Sequence, residues 1–101
     1  MVNSQKLKHI GLLLLVLLMG HWSIAQTIIR GVVKDNTGQT MPFVSVGIKG
    51  TTSGTSTDVN GNYEVQTSEN VSKIVFTFLG YVSVTKSFVT GQTQTINVVM
   101  V

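Results

Sequence analysis

The side chains best suited to chemistry gather in STDVNGNYEV, residues 56–65, where Asp58, Asn60 and Asn62 surround Gly61. Carboxylate and amide oxygens crowded around a glycine are what a calcium loop uses. An EF-hand register requires oxygen ligands at positions 1, 3 and 5, glycine at 6 and glutamate at 12. Gly61 at position 6 places Ser56, Asp58 and Asn60 at 1, 3 and 5 but Thr67 at 12, and a start at Asp58 puts Tyr63 where glycine is needed. Both registers fail, and no helices flank the loop. A cation site outside the EF-hand pattern, built from Asp58, Asn60 and Asn62, has one carboxylate and would hold calcium weakly. A turn needs less from the same letters. Asn60-Gly61 is a hairpin signal because both residues accept positive φ, and Asp58 is placed to accept backbone N–H bonds. The expectation is a structural turn at Asp58, Asn60 and Gly61, with no metal and no cofactor.

Catalysis is poorly supplied. His9, His21 and Trp22 all fall in the first 25 residues, so residues 26–101 contain no His, Cys or Trp. That removes Ser-His and Cys-His nucleophiles and thiolate or imidazole zinc sites. An acid/base pair from Asp58 and Glu64, which flank one turn, reads as solvated surface, and the chain is not expected to be an enzyme. The abundant Ser and Thr read as ordinary strand surface. Among the aromatics, Phe76, Phe78 and Phe88 lie at sheet-face spacing and are expected in the core. Tyr81, after the bend at Gly80, is the candidate interaction residue, with carbohydrate as one ligand class.

The elements that must position these residues begin after an export signal. Lys6 and Lys8 precede a greasy run over residues 10–19, and Ser23, Ile24 and Ala25 form a small-residue cleavage site. The run is about half the roughly 20 apolar residues a membrane span needs. The expected division is therefore a signal peptide at 1–25 and one domain at 26–101. In that domain Arg30, Lys34, Lys49, Lys73 and Lys86 nearly balance Asp35, Asp58, Glu64 and Glu69. The basic residues are scattered singly, so no nucleic-acid partner is expected. Without cysteine, stability must come from sheet packing.

From Gln26 the apolar period is two and β-branched residues dominate. A first strand is expected over 27–34, ended by the turn Asp35-Asn36-Thr37-Gly38. Pro42 is placed at the start of the second, in which Val44, Val46 and Ile48 share a face. A bend and a short strand follow in GTTSGTSTD. Tyr63, Val65 and Thr67 share the next face, Ile74, Phe76 and Phe78 the one after, and Val82, Val84, Ser87 and Phe88 belong to the strand beyond. Gly91-Gln92 turns the chain into a last strand carrying Ile96, Val98 and Met100. Six or seven strands separated by turn signals predict an all-β, two-sheet Greek-key sandwich.

The run IRGVVKDNTGQTMPFVSVGIKGTTSGTSTDVNGNYEV, together with FTFLGY, resembles the carboxypeptidase regulatory-like (CarboxypepD_reg-like) domain at the N-terminus of SusC-type TonB-dependent outer-membrane receptors. Gly31, Asp35, Gly38, Pro42, Gly50, Thr57, Asp58, Gly61 and Tyr63 carry the pattern. The resemblance implies a transthyretin-like or Ig-like seven-stranded sandwich, exported to the periplasm or outer membrane of a Bacteroidetes-type bacterium and not itself catalytic. In such receptors the domain precedes a plug and a β-barrel, neither of which is expected within these 101 residues. The expected function is an accessory interaction domain of nutrient uptake, a truncated or separately encoded receptor domain whose partners are outer-membrane transport proteins or another periplasmic protein. A free-standing carbohydrate-binding module using Tyr81 and the loop at 50–58 is the alternative.

Overall fold

The computed structural model describes residues 25–101; the expected signal peptide, apart from Ala25, lies outside them. The described residues form eight strands: β1 Thr27–Asp35, β2 Ser45–Ile48, β3 Gly54–Ser56, β4 Asn62–Thr67, β5 Lys73–Thr77, β6 Val84–Ser87, β7 Thr93–Thr95 and β8 Val98–Met100. One sheet has β1 at its centre, with β4 antiparallel on one side and β7 and β8 parallel on the other. The second runs β3-β2-β5-β6, all antiparallel. The chain changes sheet at β1–β2, β3–β4, β4–β5 and β6–β7, as a sandwich with crossed connections requires.

Period-two patterning sets the core. β4 buries Tyr63, Val65 and Thr67 and exposes Asn62, Glu64 and Gln66, because successive side chains leave a strand on opposite faces. The facing sheet contributes Val46, Ile48, Ile74 and Phe76, and β1 and β8 add Ile29, Val33, Val98 and Met100. The sheets meet where the Tyr63 and Phe76 rings pack edge to face, centroids 5.2 Å apart at 75°, the geometry the ring quadrupoles favour.

The expected last strand is interrupted rather than continuous, which accounts for eight segments against seven. β7 and β8 keep one register against β1, with Arg30 opposite Thr95 and Val33 opposite Val98. At the break the Ile96 N–H still donates to the Arg30 carbonyl (2.8 Å), while the Val32 N–H is taken by Asn97 Oδ1 (3.0 Å). A side-chain oxygen thus stands where a strand carbonyl would.

Other expectations are corrected. Pro42 does not start β2; it sits with Phe43 in a turn, and Phe43 is the sole non-glycine among the described residues with positive φ (62°). Phe78 is not core: β5 ends at Thr77, the Tyr81 N–H bonds the Phe78 carbonyl (3.1 Å) and Gly80 adopts φ 89°. That turn breaks the alternation and leaves Phe78 on the surface. Val82 likewise precedes β6 and is exposed. Not every threonine is surface, since Thr27, Thr57 and Thr67 are buried with their hydroxyls hydrogen-bonded.

Candidate functional site

In the loop at 58–62, Asp58 Oδ1 accepts the N–H groups of Asn60 and Asn62 (2.9 Å each). The Asp58 carbonyl accepts the Gly61 N–H (3.0 Å), and its own N–H donates to the Asn62 carbonyl (2.9 Å). Only Gly61 takes positive φ (79°); Asn60 does not, so the expected left-handed pair is a single left-handed glycine. The strands on either side belong to different sheets, which makes the reversal a corner between sheets and not a paired hairpin. Gly61 is pressed into the fold: a Cβ there would lie 2.7 Å from the Val33 carbonyl oxygen and 3.0 Å from Thr40 Cβ.

The same device occurs a second time. Asp35 Oδ1 accepts the N–H groups of Thr37 and Gln39 (2.9 and 3.1 Å), the Asp35 carbonyl accepts the Gly38 N–H, and the Asp35 N–H donates to the Gln39 carbonyl. The Thr37 hydroxyl adds a 2.6 Å bond to the Asp35 carboxylate. That bond, aided by the backbone donors, holds the Asp35 carboxyl below its ordinary value of 3.8. In both loops one carboxylate oxygen is engaged by the loop's own backbone. Among the described residues no group of three or more His, Cys, Asp or Glu is assembled for a metal ion.

Glu64 is partnered on the neighbouring strand. It bonds Arg30 across the β1–β4 ladder at 3.2 Å, with both side chains about half exposed, and such a pair contributes little. Asp58, Glu64 and Arg30 share the wall of a shallow cleft with Asn62, Thr95 and Asn97. Asp58 Oδ1 is engaged by its turn and Glu64 Oε1 by Arg30.

Beneath this cleft lies an arrangement that residue types alone do not reveal. Tyr63 lies on β4 opposite Gly31 of β1. Its hydroxyl reaches past Gly31 to donate to the Ile96 carbonyl (2.5 Å) beyond β1. Any Cβ at Gly31 would collide with that carbonyl and with the Tyr63 ring. Burial pushes the Tyr63 phenol up to about 12 from 10.0. The sequence signal was a glycine inside a strand, which marks a close approach by another group.

Tyr81 is half-buried, packed on the core edge with its ring 5.8 Å from Phe78. The residues around it are more exposed than Tyr81 itself. Phe43, Phe78 and Leu79 line one shallow cleft with it, and Thr57 holds Phe43 in place. The Phe43 N–H donates to the Thr57 carbonyl (3.0 Å), the Val44 N–H to Thr57 Oγ1 (2.9 Å), and that hydroxyl to the Met41 carbonyl (2.6 Å).

An all-β, immunoglobulin-like two-sheet sandwich is the class these features define. The chain belongs to the CarboxypepD_reg-like domain family, whose model matches residues 29–101. It is 32% identical to TonB-dependent receptor P3 of Formosa agariphila over 99 residues, which are 97% of this chain and 10% of that receptor. It is 41% identical to TonB-dependent receptor SusC of Bacteroides thetaiotaomicron over 56 residues, 55% of this chain and 6% of SusC. The chain therefore spans about a tenth or less of the curated relatives it matches. The family is a receptor-associated β-sandwich domain and not a catalytic one.

Two crystal structures of type II cohesin–X-dockerin complexes from Acetivibrio cellulolyticus, both interface mutants, contain a similar chain. Their TM-scores are 0.61 and 0.55 at 19% and 18% identity, each covering 73% of this chain and 56% of the other. At that identity the likeness shows the fold alone. Among the described residues no helix is long and apolar enough to cross a membrane.

Proposed function

We propose that this protein is a non-catalytic accessory domain of TonB-dependent outer-membrane uptake that acts through protein contacts. The observation carrying this reading is the extent of the match: nearly the whole chain aligns within a TonB-dependent receptor, as a tenth of it. Residues 1–25 direct export and are removed, and residues 26–101 work in the periplasm or at the outer membrane. Asp58, Asn60 and Gly61 serve the fold, Asp58 Oδ1 accepting two backbone N–H groups of its own loop. Sequencing the DNA downstream of this reading frame is the test. An adjoining frame encoding a plug and barrel is expected, and its absence would count against an uptake role.

One observation favours a second reading. The exposed aromatics Phe43 and Phe78 beside Tyr81 offer faces on which a sugar ring could stack. Binding on a glycan array that Tyr81→Ala abolishes would favour a free carbohydrate-binding module over the receptor reading.

A further inference from the structure

Among the described residues, four of the eight exposed large apolar side chains, Phe43, Phe78, Leu79 and Val82, lie at one end of the second sheet. Leu79 is 96% exposed, Val82 72% and Phe43 67%. Scattered apolar side chains are normal on a surface, whereas a contiguous set marks an interaction site. The cleft formed by Phe43, Phe78, Leu79 and Tyr81 is completed by Ser45, Thr77 and Gly80 and includes no charged side chain. Phe43 is a second observation. Its φ of 62° is a conformation that bulky residues avoid, and three hydrogen bonds centred on Thr57 hold it there with the ring outward. Strain maintained by its surroundings is found at functional sites such as ligand clamps.

The position of the last strand indicates what covers this surface. The Val82 N–H donates to the Val101 carbonyl (2.9 Å), so the residue that follows β8 is bonded to the residue that follows Tyr81. In the receptor that aligns over 97% of this chain at 32% identity, the matched stretch is only 10% of the polypeptide. Receptor chain continuing from the end of such a domain would start beside these residues. We infer that the patch formed by Phe43, Phe78, Leu79, Tyr81 and Val82 is the docking face for the body of a TonB-dependent receptor, seating an uncharged, apolar segment that follows the domain's last strand. This rests on the accessory-domain reading above.

The chain contains no cysteine, so Leu79→Cys and Val89→Cys each install a single reporter in this domain. Val89 is 55% exposed near the opposite end, where the Gly91 N–H meets Thr27. Maleimide labelling of each, followed by mass spectrometry of the peptide carrying it, is compared between the free chain and SusC in which this chain replaces the matched segment. Docking at the patch slows labelling of Leu79→Cys by about tenfold or more in the fusion, the protection that a contact occupied nine-tenths of the time confers, and leaves Val89→Cys unchanged. The double variant carrying Phe43→Asn restores fast labelling, since asparagine accepts the left-handed backbone and removes the ring. Protection of Val89→Cys alone overturns the patch while leaving a docked accessory domain. Protection of neither overturns both. Slowing of Leu79→Cys in the free chain as its concentration rises assigns the patch to a second copy and overturns the receptor as occupant.

Discussion

The Tyr63 hydroxyl reaches across β1 to the Ile96 carbonyl, 2.5 Å away, over the one residue whose missing side chain lets the ring pass, Gly31. This bond ties β4 to the chain on the far side of β1. It also explains why β7 and β8 are separate: the Ile96 carbonyl is committed to a side chain, and Asn97 Oδ1 serves Val32 in its place.

Gly31→Ala is expected to destabilise the domain by about 3 kcal/mol, because the backbone of β7–β8 must move to admit a methyl group. Tyr63→Phe keeps the ring and strands the carbonyl, at about 1–2 kcal/mol. Urea unfolding of the two variants checks the order: alanine at 31 must cost more than phenylalanine at 63.

A pH dependence follows from the same phenol. Folding favours neutral Tyr63 by raising its pKa from 10.0 to about 12. The stability linked to it is fully present below pH 10 and is lost as pH rises toward 12. Alkaline unfolding followed by circular dichroism should therefore be shallower for Tyr63→Phe in that window.

The paired Asp turns separate backbone strain from crowding. Gly38 and Gly61 both have positive φ, but a Cβ at Gly38 meets nothing within 4 Å. Gly38→Ala should cost about 1 kcal/mol, the left-handed penalty alone, and Gly61→Ala about 2 kcal/mol or more once the Val33 carbonyl is crowded as well. Thermal unfolding of both variants measures the difference, and added calcium should leave the wild-type Tm unchanged.

Thr57→Val preserves shape and removes one oxygen. It leaves the Val44 N–H and the Met41 carbonyl without the hydroxyl that satisfies them, at about 2–4 kcal/mol for two buried groups. Near-native circular dichroism with a lowered urea midpoint is the expected outcome.

Much of the fold was legible in the sequence because its signals are local. Alternation placed Tyr63, Val65 and Thr67 on one face, and the letters at 58–61 announced a reversal with Asp58 at its head. What escaped depends on partners distant along the chain. Phe78 continues the alternation of Ile74 and Phe76 in letters, yet the strand has ended one residue earlier. Thr57 looks like its neighbours Thr55 and Ser56 until the Met41–Val44 turn folds over its hydroxyl. Gly31 is one glycine among valines and isoleucine until β4 brings a tyrosine opposite it. The apolar patch escaped for the same reason, since Phe43 and Leu79 meet only when β2 and β5 pair.

The central claim is that this sandwich works as a protein-docking domain of TonB-dependent uptake. Its most direct measurement is affinity purification of the tagged protein from detergent-solubilised envelopes of its source bacterium after in vivo cross-linking. The account predicts a cross-linked TonB-dependent receptor co-eluting in near-stoichiometric amount. Recovery of the domain alone, with no receptor cross-linked to it, would contradict it.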